Sequence, residues 1–222
     1  MAEIAKKKDF VELKFSGYAN GELFDSNIEE DLKKLNPKAK PKELIIAIGQ
    51  GMIVEGLDRE LDGKEIGKEY EIEVKAKDGF GERKRELVKT IPLKVFTEKE
   101  IYPRAGMVLT MDNMLARVIA VSGARVVTDF NNPLASKDLK YKIKIVRKID
   151  DEKEKAKALF EFVFRFVPEF EIKEEIVVRG PKVLEHYVKR FSDKFRELIG
   201  KGLKFEEKEE MKANSDAKDK KD

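Results

Sequence analysis

Gly49-Gln50-Gly51-Met52-Ile53-Val54-Glu55-Gly56-Leu57, followed by an alternating stretch and then by Asp78-Gly79-Phe80-Gly81, decides the fold of this 222-residue chain. Val54, Leu57 and Leu61 fall at helical spacing, and Gly63 stands where a helix-terminating glycine belongs. Tyr70, Ile72, Val74 and Ala76 then alternate with Glu69, Glu71, Glu73 and Lys75, a strand with one apolar face. Upstream, Val11, Leu13 and Phe15 alternate with Glu12 and Lys14, and Asn20-Gly21 predicts a hairpin into a strand beginning at Leu23 and Phe24. A short helix is expected over 31–35, stopped by Pro37, and Leu44 to Ile48 reads as a buried strand. The closing strand lies far downstream, where Leu139, Tyr141, Ile143 and Ile145 alternate with lysines. One short helix against an antiparallel sheet of these strands makes an α+β domain.

Between the last two strands lies a block of different character, residues 88–136. Strands are expected at 107–111, 115–121 and 125–130, separated by turns at Asp112-Asn113 and Ser122-Gly123-Ala124, a β-meander bounded by Pro92 and Pro133. The first domain is therefore expected to be discontinuous, 1–87 plus 137–149. From Asp150 a third, α+β unit follows. Its stretch 156–166 is dense in Phe, and Phe170, Ile172 and Val177 suggest strand. Pro181 opens a helix carrying Val183, Leu184, Tyr187, Val188, Phe191, Phe195 and Leu198 on one stripe. Leu203 to Phe205 reads as a last strand, and a charged tail from about Glu206 is expected to end in disorder.

Composition narrows the function classes. Lys+Arg 47 against Asp+Glu 44 leaves a net charge of +3, too balanced to favour nucleic acid or an anionic membrane. Zero cysteines remove disulfides, thiolate metal sites and cysteine nucleophiles. The Lys- and Glu-rich composition suggests a thermophile's protein. No apolar run approaches the roughly 20 residues of a membrane span, and Met1 to Lys8 lacks a signal-peptide core. A soluble, cytoplasmic protein is expected. The single histidine, His186, reads as structural or surface, and neither metal nor cofactor is expected.

Read in order, Phe15-Ser16-Gly17, Gly21-Glu22-Leu23-Phe24-Asp25, Gly49 to Leu57 and Asp78 to Gly81 resemble the FKBP-type peptidyl-prolyl isomerases. The nearer likeness is to the SlyD-like branch, with a small domain inserted in the flap, in its long archaeal form. The resemblance covers about residues 9–149. It implies an FKBP-like fold and a proline-binding pocket in which Phe24 is a wall and Asp25 the carboxylate. Ile53 and Val54 precede the helix, and the Val54 backbone N–H holds a substrate carbonyl. Leu57 takes the floor position, which is Trp in the eukaryotic branch. Phe80 matches the aromatic of the flap-side turn and Tyr141 the aromatic of the last strand, with Phe15 as a supporting wall. From pattern alone these aromatics read as core, and it is the ordered match that makes them a pocket.

The chemistry such a pocket supports needs neither metal nor proton donor. Peptide-bond rotation has a barrier of about 18–20 kcal/mol, and Xaa-Pro bonds exchange over tens to hundreds of seconds. An apolar pocket that grips the proline ring and favours the twisted imide lowers that barrier. Phe15 and Phe80 stand where the family usually has Tyr, each keeping a ring and losing a hydroxyl. A hydrogen bond is worth about 0.5–1.5 kcal/mol, so each loss is expected to cost roughly 2- to 13-fold. The alternative is a holdase on the same scaffold with little turnover. The resemblance also implies that the insert binds unfolded, proline-containing clients. Met107, Met111 and Met114, with Leu109 and Phe130, are its candidate contacts, some of them needed for the insert's own small core. Long archaeal members suggest a homodimer through the C-terminal unit, although its aromatics fit a small core equally well.

Overall fold

The computed structural model describes residues 2–208. The alternation that begins at Val11 runs to ten residues in β1 (Phe10–Ala19), which turns back into β2 (Glu22–Ser26). The turn residues Asn20 and Gly21 have φ of 52° and 82°, the positive values that a two-residue primed hairpin demands. Helix α1 (Glu29–Leu35) follows, then the short β3 (Ile45–Ala47), paired with the start of β1. Helix α2 (Glu55–Glu60) and β4 (Glu69–Val74) come next. Ala76 is not part of β4 but starts a single 3-10 turn, Ala76–Asp78, that leads into the Gly79-Phe80-Gly81 corner.

The chain then leaves this sheet. Strand β5 (Val88–Pro92), helix α3 (Leu93–Thr97), β6 (Val108–Met111), β7 (Met114–Ser122) and β8 (Arg125–Asp129) form a separate four-stranded sheet in the order β5-β8-β7-β6. This corrects the three-stranded meander expected from sequence. Pro92 does not bound the sheet from outside; it ends the edge strand β5, a position where a residue without an N–H costs no ladder bond. Phe96 of α3 is buried with Val118 and Val126 and makes the small core of this unit.

Strand β9 (Leu139–Lys148) returns to the first sheet between β1 and β4, giving the antiparallel order β2-β1-β9-β4, with β3 on β1. Leu13, Ile72, Val74, Ile143 and Ile145 on one face of this sheet bury Leu57 and Leu61 of α2. The helix comes so close that a Cβ on Gly56 would lie 2.5 Å from Val74 Cγ1.

The Phe-dense stretch is helix α4 (Glu152–Phe164), capped by Asp151, whose carboxylate accepts the Glu154 N–H at 2.8 Å. Strands β10 (Glu169–Ile172) and β11 (Ile176–Gly180), helix α5 (Leu184–Ile199) and β12 (Leu203–Glu207) complete the chain. β12 runs parallel to β11 and reaches past Glu206, where a tail was expected; the tail's end lies outside the described residues. Phe160 packs against Phe195 and Phe170 at ring separations of 4.7 and 5.1 Å. Phe10, Ala47 and Ile149 join this core from the first sheet, so the two units are packed together. No helix among the described residues is long and apolar enough to cross a membrane.

Candidate functional site

A cleft of about 640 Å³ opens beside the first sheet. The seven residues that the resemblance assigns to a proline pocket, Phe24, Asp25, Ile53, Val54, Leu57, Phe80 and Tyr141, all line it, together with Phe15. They arrive from five places. β1 gives Phe15, β2 gives Phe24 and Asp25, and α2 with the chain entering it gives Ile53, Val54 and Leu57. The 79–81 corner gives Phe80, and β9 gives Tyr141. Strand pairing sets Gly17 of β1 opposite both Asp25 and Tyr141.

The rings stand edge to face. Phe24 meets Tyr141 at 5.9 Å and Phe80 at 6.2 Å, each with planes at 83°, while Phe15 is 6.3 Å from Tyr141. Aromatic pairs favour this arrangement, and it leaves ring faces free to bound an apolar guest. Gly17 permits it, because a Cβ there would lie 2.7 Å from Phe24 Cζ and 2.9 Å from Tyr141 Cε1.

Polar groups at the cleft wall and behind it hold it in shape, and these the sequence reading did not single out. Asn27 accepts the Phe15 N–H through Oδ1 and donates to the Leu13 carbonyl through Nδ2, both at 2.8 Å, which fixes the strand that carries Phe15. The buried Asp58 of α2 accepts the N–H groups of Gly49 and Gly51, each at 2.8 Å. These bonds tie down the loop that delivers Ile53 and Val54. Asn27 stands two residues after Asp25, and Asp58 stands nine and seven residues from its two partners; that proximity was the only signal available in the sequence.

The Val54 carbonyl accepts the Asp58 N–H at 2.9 Å and starts α2, whereas the Val54 N–H donates no hydrogen bond among the described residues. Tyr141 is the one phenol among the lining residues. Burial and, secondarily, the negative charge of Asp25 push its pKa up to about 12, so it stays a neutral donor at physiological pH.

The insert's candidate residues lie elsewhere. Leu109 and Met111 pack on the insert's core, Phe130 is half-buried, and Met107 and Met114 are exposed. None of them lines the cleft. One wall of the cleft comes from a source the sequence reading did not foresee: Glu154, Lys157, Ala158 and Glu161 of α4.

The chain matches the family model described as FKBP-type peptidyl-prolyl cis-trans isomerase over residues 2–103, and the FKBP26, IF domain model over residues 89–134. It is 30% identical over 148 residues to the short-type peptidyl-prolyl cis-trans isomerase of Methanocaldococcus jannaschii, an alignment covering 65% of this chain and 94% of that protein. The FKBP-type isomerases SlyD of Escherichia coli and of Yersinia pestis are 30% and 31% identical over 101 residues, 44% of this chain and 52% of each relative. The chain thus spans about half the length of those SlyD proteins. With an isomerase matched over nearly its full length, and with the insert's own model matched where the second sheet lies, the chain belongs to the FKBP-type peptidyl-prolyl cis-trans isomerase family.

Proposed function

We propose that this FKBP-type isomerase turns over Xaa-Pro bonds in the aromatic cleft, and that its insert holds the unfolded chain that carries them. The observation that carries the first part is the meeting of eight separately predicted side chains around one cavity. The reaction is non-covalent. The ring faces of Phe24, Phe80 and Tyr141 strip water from the proline, and Leu57 closes the floor. The unbonded Val54 N–H is available to a substrate carbonyl, and the neutral Tyr141 hydroxyl and Asp25 supply fixed dipole and charge beside the imide. Twisting the imide breaks its N–C conjugation, and a dry, preorganised pocket favours that state over the planar ones.

Client binding is supported by apolar side chains on both faces of the insert's sheet. Val108 and Leu115 are more than half exposed on the face away from Leu109 and Ala116, and Tyr102 is 73% exposed. Such surfaces adapt to many sequences. A homodimer through the C-terminal unit is supported by the exposed Phe166 and Tyr187, whose rings neighbour the buried Phe164, and by the exposed Val167 and Val183.

NMR exchange spectroscopy on a short Xaa-Pro peptide tests the isomerase site. Catalytic amounts of the protein should accelerate exchange, and Asp25→Ala and Tyr141→Ala should each lower the rate by about tenfold or more, some 1.4 kcal/mol, with the fold retained. Unchanged turnover in both variants would remove the site. The second reading, a holdase, is favoured by the missing hydroxyls at Phe15 and Phe80. Its signature is aggregation suppression proportional to protein concentration with no peptide acceleration.

A further inference from the structure

We infer that α4 and the segment leading to β3 extend the proline cleft into a second subsite, which reads residues flanking the proline and favours acidic ones. The inference rests on the cleft being the isomerase site.

Helix α4 has two working faces. Ala156, Leu159, Phe160 and Phe164 are buried in the C-terminal core. Glu154, Lys157, Ala158 and Glu161, at i, i+3, i+4 and i+7, form the other face and line the cleft. Facing them from the segment before β3 are Lys40, Lys42 and Glu43. The small Ala158 at the middle of the helical wall leaves room for a peptide to pass.

The two walls are fixed to each other. Arg147 of β9 donates to Glu12 of β1 at 2.8 Å, to Glu43 at 2.9 Å and to Glu154 of α4 at 2.9 Å. Lys42 reaches Glu161 at 2.9 Å. Every carboxylate of this part of the lining thereby has a cationic partner, the single Arg147 guanidinium serving Glu12, Glu43 and Glu154 together. Lys40 and Lys157 have no carboxylate within 4.0 Å among the described residues. The charged lining groups left without an ion-pair partner in this part of the cleft are therefore two exposed ammonium groups, one on each wall, on side chains long enough to meet an incoming carboxylate.

The test is a set of Xaa-Pro peptides with Glu, Ala or Lys beside the Xaa-Pro pair, each assayed for kcat/KM. The wild-type protein should prefer Glu over Ala by about 2- to 5-fold for each ion pair formed, the range of exposed pairs. The Glu:Ala ratio should fall to about one in the Lys40→Gln/Lys157→Gln double variant. It should fall likewise at 1 M salt, where the Debye length is about 3 Å, and Lys157→Glu should move the preference toward Lys. Equal rates for the three peptides with the wild-type protein, or a ratio that survives in the double variant, overturns the inference. Tyr141→Ala on the Ala peptide separates the two layers. If that variant is as fast as wild type, the cleft is not the isomerase site and the subsite falls with it. If it is slow while the Glu:Ala ratio of the wild type is one, the second subsite alone is refuted.

Discussion

Gly17 illustrates how much of the pocket depends on what is missing at one residue. Its neighbours across both strands are the residues that would do the chemistry, and its absent Cβ is what lets Phe24 and Tyr141 close to 5.9 Å. Gly17→Ala should leave the strand intact, since alanine is tolerated there conformationally, but push the two rings apart. Because a misplacement of about 1 Å can cost on the order of 100-fold, peptide turnover should drop at least about tenfold while circular dichroism is unchanged; turnover at the wild-type rate would show that ring spacing is not limiting. At this scale the sequence was legible as far as placement goes: Phe24, Asp25 and Phe80 line one cleft, as the resemblance implies. It was not legible for Asn27 and Asp58, whose partners are backbone N–H and carbonyl groups brought to them by the fold. An asparagine and an aspartate on paper look the same whether they brace a loop or face solvent.

Elements were legible in proportion to the length of their periodicity. β1, β4 and β9 are six residues long or more, and each lies where the alternation put it apart from Ala76 at the end of β4, whereas α3 is five residues long and gives no period to read. β5 escaped notice because its proline looked like a boundary. Helix α4 combines both problems, since its Phe-rich face announces burial without saying against what. Part of the answer is the first sheet: Phe10, Ala47 and Ile149 are buried within the same core as Phe160 and Phe195. A chain shortened to residues 1–149 should therefore lose stability even though its own sheet and α2 are complete. Burying a Phe or Ile side chain contributes about 1.5–3 kcal/mol, so re-exposing Phe10 and Ile149 should lower the unfolding midpoint clearly in urea. A midpoint equal to that of the full chain would mean that the C-terminal unit only docks on the sheet without supporting it.

For the whole molecule, the proposed function requires the pocket and the insert to act together on one chain, and what joins them lies where the polypeptide crosses between them. That junction could not be read from sequence, because it joins residues about 50 positions apart. Arg83 donates to Asp129 through Nε at 3.0 Å and Nη2 at 2.7 Å. The Lys84 N–H donates to Asn131 Oδ1 at 2.8 Å, and the Arg83 N–H to Ser136 Oγ at 2.7 Å. Burial raises the Asp129 pKa, but the Asn131 backbone and amide N–H groups and Arg83 outweigh it and hold the carboxyl below the usual range. A depressed carboxyl stabilises the native arrangement fully above the ordinary value of about 3.9, and that contribution is lost as pH falls through the native value. The insert's attachment should therefore loosen below about pH 4, visible as faster hydrogen exchange at Lys84 and Asn131 before the first sheet opens. Arg83→Ala should bring the same loosening at neutral pH. On the proposed function, a client held by the insert would present its prolines to the pocket at a raised local concentration, and that gain would depend on the two units keeping their geometry. Arg83→Ala should accordingly slow proline-limited refolding of a protein substrate several-fold while leaving turnover of a short peptide, which does not need the insert, close to wild type. If both substrates slowed equally, the junction would be supporting the pocket itself; if neither slowed, the insert and the pocket would be working independently.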